Sequence, residues 1–240
     1  MSNAFYDAGE QRAAKVNDLF ATIARRYDLI NDLQSFGLHR LWKRRVVALT
    51  QMKPGDRALD LCCGTGDISF ALAQRGAETI GLDFSPQMLE VAAQRRGKNS
   101  QLKNCNLKFQ QGDAQTLPFP DNSFDAVTVG YGLRNLTSWE RGLDEMARVA
   151  RPGGRIVVLD FGKPANPLWR KIYFLHLRCS VPLIGLLFCG NASAYAYILE
   201  SLQHYPAQLA VAEKMRTLKL KNVRVINLLG GAMAINYGEK

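Results

Sequence analysis

The chain has 240 residues, 47% of them hydrophobic, so it can bury one large core and a single domain is expected. Its five cysteines are an odd number without C-x-x-C spacing, which argues against a disulfide framework and against a zinc site. The net charge is +10, and residues 161–240 hold ten Lys or Arg against three acidic residues; such a basic region suits nucleic acid, an anionic membrane or a solvated surface.

The first 50 residues predict a helical cap. Apolar residues recur at spacings of three and four from residue 11 to residue 32, as in an amphipathic helix packed on a larger body. The end of this helix carries Tyr27, Asp28 and Asp32, which we interpret either as groups that face a ligand or as an ordinary polar helix end. The stretch lacks the apolar core of a signal peptide, so we expect a reducing compartment.

Residues 58–69 predict a strand, a tight glycine turn and a helix. The apolar run of the strand ends at Gly64, Thr65 and Gly66, and Asp67 follows as a good helix start. Glycines allow backbone conformations and close approaches that a Cβ would prevent. The first amides of the helix would then point above the carboxyl end of the strand, where open α/β sheets bind nucleosides.

Two ligands compete for this turn. A dinucleotide fingerprint needs a third glycine where this chain has Ser69. An adenosylmethionine site instead needs an acid for the positively charged ammonium, and Asp60 and Asp67 are candidates. For Asp67, the alternative is a helix N-cap without any role in binding.

Strands and helices then alternate along the chain. Strands are predicted at residues 57–61, 78–82, 106–111, 124–129 and 155–161, with helices at 66–75, 86–96, 138–149 and 206–218. Residues 222–229 and 232–237 flank a double glycine, which predicts a closing β-hairpin. The pattern predicts an α/β fold with a doubly wound, mostly parallel seven-stranded sheet whose last strand is antiparallel.

Acidic residues follow two of the predicted strands. Asp83 ends the second strand, where a carboxylate can bind both hydroxyls of an adenosine ribose. Asp113 and Ala114 leave the third strand and could contact the adenine amino group and a ring nitrogen; alternatively, Asp113 only ends a strand. Asp83 supports an adenosine ligand without choosing between a dehydrogenase and a methyltransferase.

Residues 164–205 form an insertion before the last helix, and residues 172–189 are strongly apolar. His176, Arg178 and Pro182 interrupt this run, which is shorter than the ~20 residues of a membrane span. We expect an apolar helical lid over a hydrophobic tail, with basic neighbours that face anionic headgroups. The alternative is an ordinary pair of core helices.

These motifs resemble the class I adenosylmethionine-dependent methyltransferases. The resemblance rests on residues 60–67, Asp83, Asp113, Ala114, residues 117–125 and the turn at 152–154. A narrower resemblance, to the ubiquinone and menaquinone C-methyltransferases, rests on residues 27–32, 39–43, 132–135 and 231–234. It covers nearly the whole chain and implies S-adenosyl-L-methionine as cofactor, with contacts at Thr65, Asp83, Asp113 and Ala114.

One motif departs from the family pattern. Many members have a cofactor-contacting serine where this chain has Gly130, so that hydroxyl contact is absent. The segment 130–135, together with Cys62 and Cys63 in the glycine turn, looks most like the branch that methylates reduced 2-phytyl-1,4-naphthoquinone in phylloquinone biosynthesis. A menaquinone precursor differs mainly in its tail and is the close alternative; a ubiquinone precursor is more distant.

The resemblance implies one methyltransferase domain over residues 1–240. Its parts would be the cap (1–50), a cofactor-binding half (51–163), the lid (164–205), and the last helix with the β-hairpin (206–240). The expected cofactor-binding residues are Asp60, Gly64, Thr65, Gly66, Asp83, Asp113, Ala114 and Gly130.

Carbon methylation of a quinol requires no metal, and the sequence offers no metal-binding cluster. Arg134 could stabilise the forming phenolate or orient a water that removes the proton. Tyr27 and Asn135 could hydrogen-bond the quinol oxygens, while Asp28 and Asp32 close the site from the cap. The alternative is that these carboxylates bridge to Arg134 and only hold the cap on the sheet.

The expected partners follow from this interpretation. They are a prenylated, most favourably phytylated, naphthoquinol and an anionic membrane surface, with the protein peripheral to a membrane on its cytoplasmic or stromal side. A homodimer remains open. Nucleic acid is not expected, because no Asn-Pro-Pro-Tyr type motif is present. A non-catalytic binding module on the same fold is the alternative from another functional class.

Overall fold

A computed structural model describes residues 18, 27–102, 105–189, 199–202 and 204–240. Most of the helix expected at residues 11–32 therefore lies outside the described residues. Its last part is the start of a described helix, Tyr27–Ser35.

The centre of the molecule is a seven-stranded sheet with the order β3-β2-β1-β4-β5-β7-β6. The first five strands pair in parallel, whereas β7 runs antiparallel to both β5 and β6. This confirms the doubly wound, mostly parallel sheet with an antiparallel last strand. The strands are β1 (Arg57–Leu61), β2 (Glu78–Asp83), β3 (Leu107–Gln111), β4 (Phe124–Gly130), β5 (Ala150–Phe161), β6 (Lys221–Leu228) and β7 (Met233–Glu239).

The helices cover both faces of the sheet. They are α1 (Tyr27–Ser35), α2 (Leu38–Leu49), α3 (Asp67–Ala73), α4 (Pro86–Lys98), α5 (Trp139–Val149), α6 (Pro167–Cys189) and α7 (Ala207–Thr217). On one face, Trp42 and Val46 of α2 pack with Leu72 of α3. On the other face, Leu143 of α5 and Val211 of α7 belong to a second buried cluster. The result is a three-layer α/β/α arrangement.

Two local predictions differ from the structure. The turn at residues 152–154 lies inside β5 as an irregularity, since pairing with β4 passes from Ala150 directly to Arg155 and Gly153 has φ 78°. The Gly153 N–H donates to the Lys240 carbonyl and the Lys240 N–H donates to the Gly154 carbonyl. The chain terminus thus extends the sheet at this point. Asp67 is not an N-cap: Gly66 occupies that position with φ 91° and makes no side-chain cap bond.

Helix α6 begins shortly after the carboxyl end of β5, in the region expected to form the lid, and continues through Pro182. Two of its side chains, Tyr173 and Leu177, are buried against the rest of the protein. Within the described residues, no helix is both long enough and apolar enough to cross a membrane.

Candidate active site at the carboxyl ends of the strands

The glycine turn connects β1 to α3 and depends on left-handed backbone conformations. Gly64 has φ 54° and Gly66 has φ 91°. A Cβ on Gly66 would lie 3.0 Å from ring atoms of both Phe70 and Phe109. Glycine is therefore required at this position both by the positive φ and by the lack of space for a side chain.

A cleft opens beside this turn, between the carboxyl ends of β1 and β4. The order of the sheet reverses between these two strands, which is where open α/β sheets bind their ligands. Six residues predicted from the sequence line the cleft: Gly64, Asp83, Asp113, Ala114, Gly130 and Asn135.

The two carboxylates of the cleft are held by main-chain donors. Asp83 Oδ2 accepts from the Gly64 N–H at 2.7 Å and Oδ1 accepts from the Ser85 N–H at 2.9 Å. Burial raises the pKa of Asp83, and these backbone hydrogen bonds oppose the shift. Asp113 Oδ1 accepts from the Gln115 N–H at 2.8 Å. Asp83 is therefore oriented by its own loop and by the glycine turn, and Asp113 by its own loop.

The described lining of the cleft is acidic, although the protein as a whole is basic. Its described lining contains Asp83 and Asp113 but no Lys, Arg or His. A pyrophosphate would need cations or a row of amide donors, whereas a sulfonium cofactor is positively charged. The cleft therefore fits adenosylmethionine better than a dinucleotide.

The apolar side of the cleft, formed by Leu82, Phe84 and Met88, was not predicted from the sequence. Leu82 and Phe84 flank Asp83, and Met88 lies in the first turn of α4. Their positions next to an acid at a strand end were the signal that could have identified them, because an adenine ring packs against apolar side chains.

Asp60 is placed beneath the glycine turn and is not part of the described lining of the cleft. It is buried, and its oxygens accept from Ser69 Oγ at 2.6 Å and Thr128 Oγ1 at 2.8 Å. Burial raises the pKa of Asp60 to about 6, although both hydroxyls favour the charged form. In this arrangement Asp60 links β1 to α3 and β4.

Thr65 and Asp28 meet above the turn. Thr65 Oγ1 donates to Asp28 Oδ1 at 2.7 Å, and Arg95 lies 3.1 Å from Asp28 Oδ2. Arg95 also donates to the Thr65 carbonyl at 2.8 Å. These contacts fasten helix α1 to the glycine turn.

Asp67 is engaged by two cations, Lys43 and Arg95, each at 2.7 Å. Burial alone would raise its pKa, but these charges hold the pKa well below the usual value. This carboxylate is therefore already neutralised by side chains of the protein.

Asp32 lies away from the cleft lining. Arg40 Nε donates to Asp32 Oδ1 at 2.8 Å, and this bond lowers the pKa of the carboxyl group. The pair connects α1 to α2. Tyr27 begins α1, but its side chain lies outside the described residues.

Arg134 is buried, and its partner is Asp160, not the cap carboxylates. Nη1 donates to Asp160 Oδ1 at 2.8 Å, and the Arg134 N–H donates to Oδ2 at 3.0 Å. The guanidinium also lies 4.5 Å from the ring centre of Phe161 and donates to the Tyr131 carbonyl. The arginines that bridge to the cap carboxylates are instead Arg95, at Asp28, and Arg40, at Asp32.

Asn135 presents an acceptor beside this pair. Its Nδ2 donates to the Tyr131 carbonyl at 3.4 Å, while its buried Oδ1 accepts no hydrogen bond from the described part of the chain. A buried carbonyl oxygen without a donor is costly, so the position favours a ligand that brings a hydroxyl or an amine.

Comparison with known proteins identifies the family. The family model described as the ubiE/COQ5 methyltransferase family matches residues 7–240. The chain belongs to this family. It is therefore an adenosylmethionine-dependent methyltransferase, which confirms the cofactor expected from the sequence.

Individual relatives agree with this membership. The chain is 43% identical to a demethylmenaquinone methyltransferase of Desulfitobacterium hafniense (strain Y51), over 97% of this chain and 92% of the relative. It is 38% identical to the ubiquinone/menaquinone biosynthesis C-methyltransferase UbiE of Francisella tularensis subsp. novicida (strain U112), over 96% of this chain and 93% of the relative.

A solved structure of a SAM-dependent methyltransferase from Aquifex aeolicus has the same fold. It matches with a TM-score of 0.60 at 18% identity and covers 88% of this chain and 96% of its own chain. At this identity the likeness supports the fold alone.

The pKa of Asp60 generates a prediction about stability. A carboxyl group whose folded pKa is about 6, against an ordinary value of 3.8, favours folding most when it is protonated. This contribution is complete below the unfolded pKa and is lost as the pH rises through the folded pKa. As the pH rises from about 4 to about 7, the free energy of unfolding of the Asp60→Asn variant should therefore increase relative to that of the unmodified protein, by up to about 3 kcal/mol.

Urea unfolding of both proteins across this pH range measures the difference between their free energies of unfolding. The contributions of other titrating groups cancel in this difference. The same substitution at the exposed Asp144 controls for the loss of one charge. A difference that stays constant with pH at Asp60 would show that its carboxyl group does not titrate in this range.

Proposed function

We propose that the protein methylates a ring carbon of a prenylated naphthoquinol, and that reduced 2-phytyl-1,4-naphthoquinone is its favoured substrate. The main support is the position of Asn135 and the Arg134–Asp160 pair next to an acidic cleft without described cations. The phytyl tail is favoured by the segment 130–135 and the two cysteines of the glycine turn, which resemble the phylloquinone branch.

Demethylmenaquinol is the second candidate. The relative from D. hafniense, at 43% identity, is named a demethylmenaquinone methyltransferase. The two substrates have the same ring system and differ in the tail, so the same ring contacts would serve both.

The cleft residues provide a set of contacts for the cofactor, which supplies an electrophilic methyl group. Asp83 would accept hydrogen bonds from the ribose hydroxyls, and Asp113 with the Ala114 N–H would bind the adenine edge. Gly64 and Gly130 would border the cofactor with backbone alone; at Gly130 a Cβ would lie 2.6 Å from Ile68 Cδ1, so packing on α3 also requires glycine there. Positioning of this kind can contribute about 7 to 11 kcal/mol to the barrier reduction.

The quinol ring becomes nucleophilic when the hydroxyl next to the target carbon loses its proton. Asn135 Oδ1, an acceptor without a described donor, would orient that hydroxyl. The positive charge of Arg134 would stabilise the phenolate, because charge effects are strong in a site of low exposure. Asp160 would act on Arg134 as a positioning residue, since it fixes both the guanidinium and the backbone N–H.

The cap contributes in two ways in this proposal. Asp28 would close the site by holding α1 on Thr65, and Tyr27 would contact a quinol oxygen. Asp32 would act indirectly, because its carboxylate fastens α1 to α2 through Arg40.

The substrate assignment is tested with purified protein, labelled adenosylmethionine and three reduced quinones. Two share the naphthoquinol ring and carry a phytyl or a polyprenyl tail, and the third is a prenylated benzoquinol. We expect kcat/KM to be highest for the phytylated naphthoquinol, with the ring-methylated product identified by mass spectrometry. A preference for the polyprenyl tail would select demethylmenaquinol, and methylation of none of the three would contradict the proposal.

Cofactor contacts are tested at Asp83. Asp83→Asn keeps one acceptor oxygen for one of the two loop amides and loses the charge. Hydrogen bonds to charged groups contribute about 1.5 to 3 kcal/mol, so the Kd for adenosylmethionine should rise about 10- to 100-fold. Calorimetry measures this change, with the exposed Glu90→Gln on α4 as the matched control. An unchanged Kd at position 83 would remove the ribose assignment, and tight binding of NAD would oppose the identification of the cleft.

The role of Arg134 is tested with its partner, because Arg134→Gln alone would leave Asp160 buried and unpaired at a cost of about 3 to 5 kcal/mol. The double variant Arg134→Gln/Asp160→Asn removes both charges and keeps hydrogen-bonding side chains. Turnover should fall on the order of 10² to 10³, since preorganised donors act mainly in the transition state. The Kd for adenosylmethionine should change little.

Arg134→Lys should restore turnover only in part, because lysine has the charge without the planar fork. Single-turnover rates and calorimetry separate chemistry from binding. If the double variant turns over normally and only unfolds more easily, Arg134 and Asp160 form a structural ion pair, and the catalytic assignment moves to Asn135 and Tyr27.

A further inference from the structure

Helix α6 presents an apolar stripe to the outside. Leu168, Ile172 and Leu175 follow the i, i+4, i+7 spacing of one helical face, and they are 68%, 48% and 61% exposed. The opposite face carries Tyr173 and Leu177, which are each only 7% exposed. The outward stripe is therefore not the side by which the helix packs on its own protein.

Basic residues flank this stripe. Lys171 and Arg178 lie beside it on the helix and are exposed. From residue 161 to residue 199 the sequence contains four Lys or Arg and no acidic residue. An apolar stripe with cations along one side and no acidic residue in this segment matches an anionic surface with an apolar interior.

The helix is held firmly in this orientation. Tyr173 Oη donates to the Ala232 carbonyl at 3.1 Å, and Trp169 Nε1 donates to the Leu229 carbonyl at 2.9 Å. The second bond brings the tip of the β6–β7 hairpin to the end of the stripe, where Leu229 is 52% exposed. The exposed apolar residues thus belong to two separate elements that a hydrogen bond holds together.

Its location relates it to the cleft. Helix α6 follows the carboxyl end of β5, and the carboxyl ends of the parallel strands form the edge that carries the active site. The exposed stripe of α6 therefore belongs to an element that begins at the same edge of the sheet as the cleft.

We propose that the stripe of Leu168, Ile172 and Leu175, with Lys171 and Arg178 beside it and Leu229 at its end, docks the protein on an anionic lipid bilayer. The apolar side chains enter the boundary between headgroups and acyl chains, and the two cations contact lipid headgroups. This places the active-site edge of the sheet at the membrane surface, where a lipid-soluble substrate would be available. The docking itself does not depend on the identity of that substrate.

The experiment is co-sedimentation of the full chain with vesicles that contain no quinone. Vesicles of phosphatidylcholine mixed with phosphatidylglycerol are compared with vesicles of phosphatidylcholine alone. We expect strong binding only to the anionic vesicles, weakening with salt as the Debye length falls from about 10 Å at 0.1 M to about 3 Å at 1 M.

Two pairs of variants locate the surface. Lys171→Gln/Arg178→Gln should weaken binding to anionic vesicles about 30-fold, since each cation near an anionic surface contributes about fivefold. The charge-matched control is Lys53→Gln/Lys98→Gln. Lys53 precedes β1 and Lys98 precedes β3, so both lie at the amino-terminal edge of the sheet, and this variant should bind like the unmodified protein.

Leu168→Ser/Leu175→Ser should weaken binding at least about tenfold, because insertion depends on buried apolar area. Its control is Leu41→Ser/Leu209→Ser, at two other exposed leucines. Circular dichroism melting curves verify that all four variants remain folded.

Equal binding to neutral and anionic vesicles, equal losses in the control pairs, or no binding by the unmodified protein would each overturn the proposal. If the unmodified protein forms a dimer that Leu168→Ser/Leu175→Ser dissociates in sedimentation velocity, and it binds no vesicles, the stripe is covered by a second copy of the chain instead.

Discussion

The position of the active site depends on where β1 ends, and the buried carboxylate of Asp60 fixes that point. One oxygen accepts from Ser69 in α3 and the other from Thr128 in β4, so one side chain joins three elements beneath the glycine turn. A buried carboxylate is tolerated only when it is hydrogen-bonded in this way. The Gly64 N–H then reaches Asp83 at the end of β2, which orders the loop that borders the cleft.

Positive and negative side chains are distributed differently around this turn and in the cleft beside it. The cations nearest to it are paired with acids of the protein: Lys43 and Arg95 with Asp67, and Arg134 with Asp160. The two acids of the cleft, by contrast, are bound by main-chain amides, which leave their negative charge uncompensated by any cation of the described lining. A chain with a net charge of +10 thereby keeps a locally acidic cleft, which attracts a cationic cofactor and disfavours a phosphate.

The sequence predicted the fold and the acids at the strand ends, because both follow from local periodicity. Asp83 could be located because it directly follows the apolar end of β2, and Asp113 because it comes after Gly112 at the end of the next predicted strand. The orientation of Asp60 could not be predicted, since β1 is buried on both faces and its pattern does not distinguish them. The pair of Arg134 and Asp160 spans 26 residues and requires the order of the sheet, which no local pattern contains.

The attachment of the cap shows how ligand binding and closure are linked. Thr65 has one hydroxyl hydrogen, which it donates to Asp28, so a ligand acceptor that takes this hydrogen must replace that bond. Arg95 still holds the second oxygen of Asp28, so α1 stays attached while one contact exchanges. If the cofactor takes this hydrogen, the coupling between the cofactor and the cap would be limited to about the value of one hydrogen bond to a charged group, roughly 1.5 to 3 kcal/mol. A coupling of this size would adjust how tightly the cap closes without releasing it, because the contact of Arg95 with Asp28 does not use the hydroxyl of Thr65.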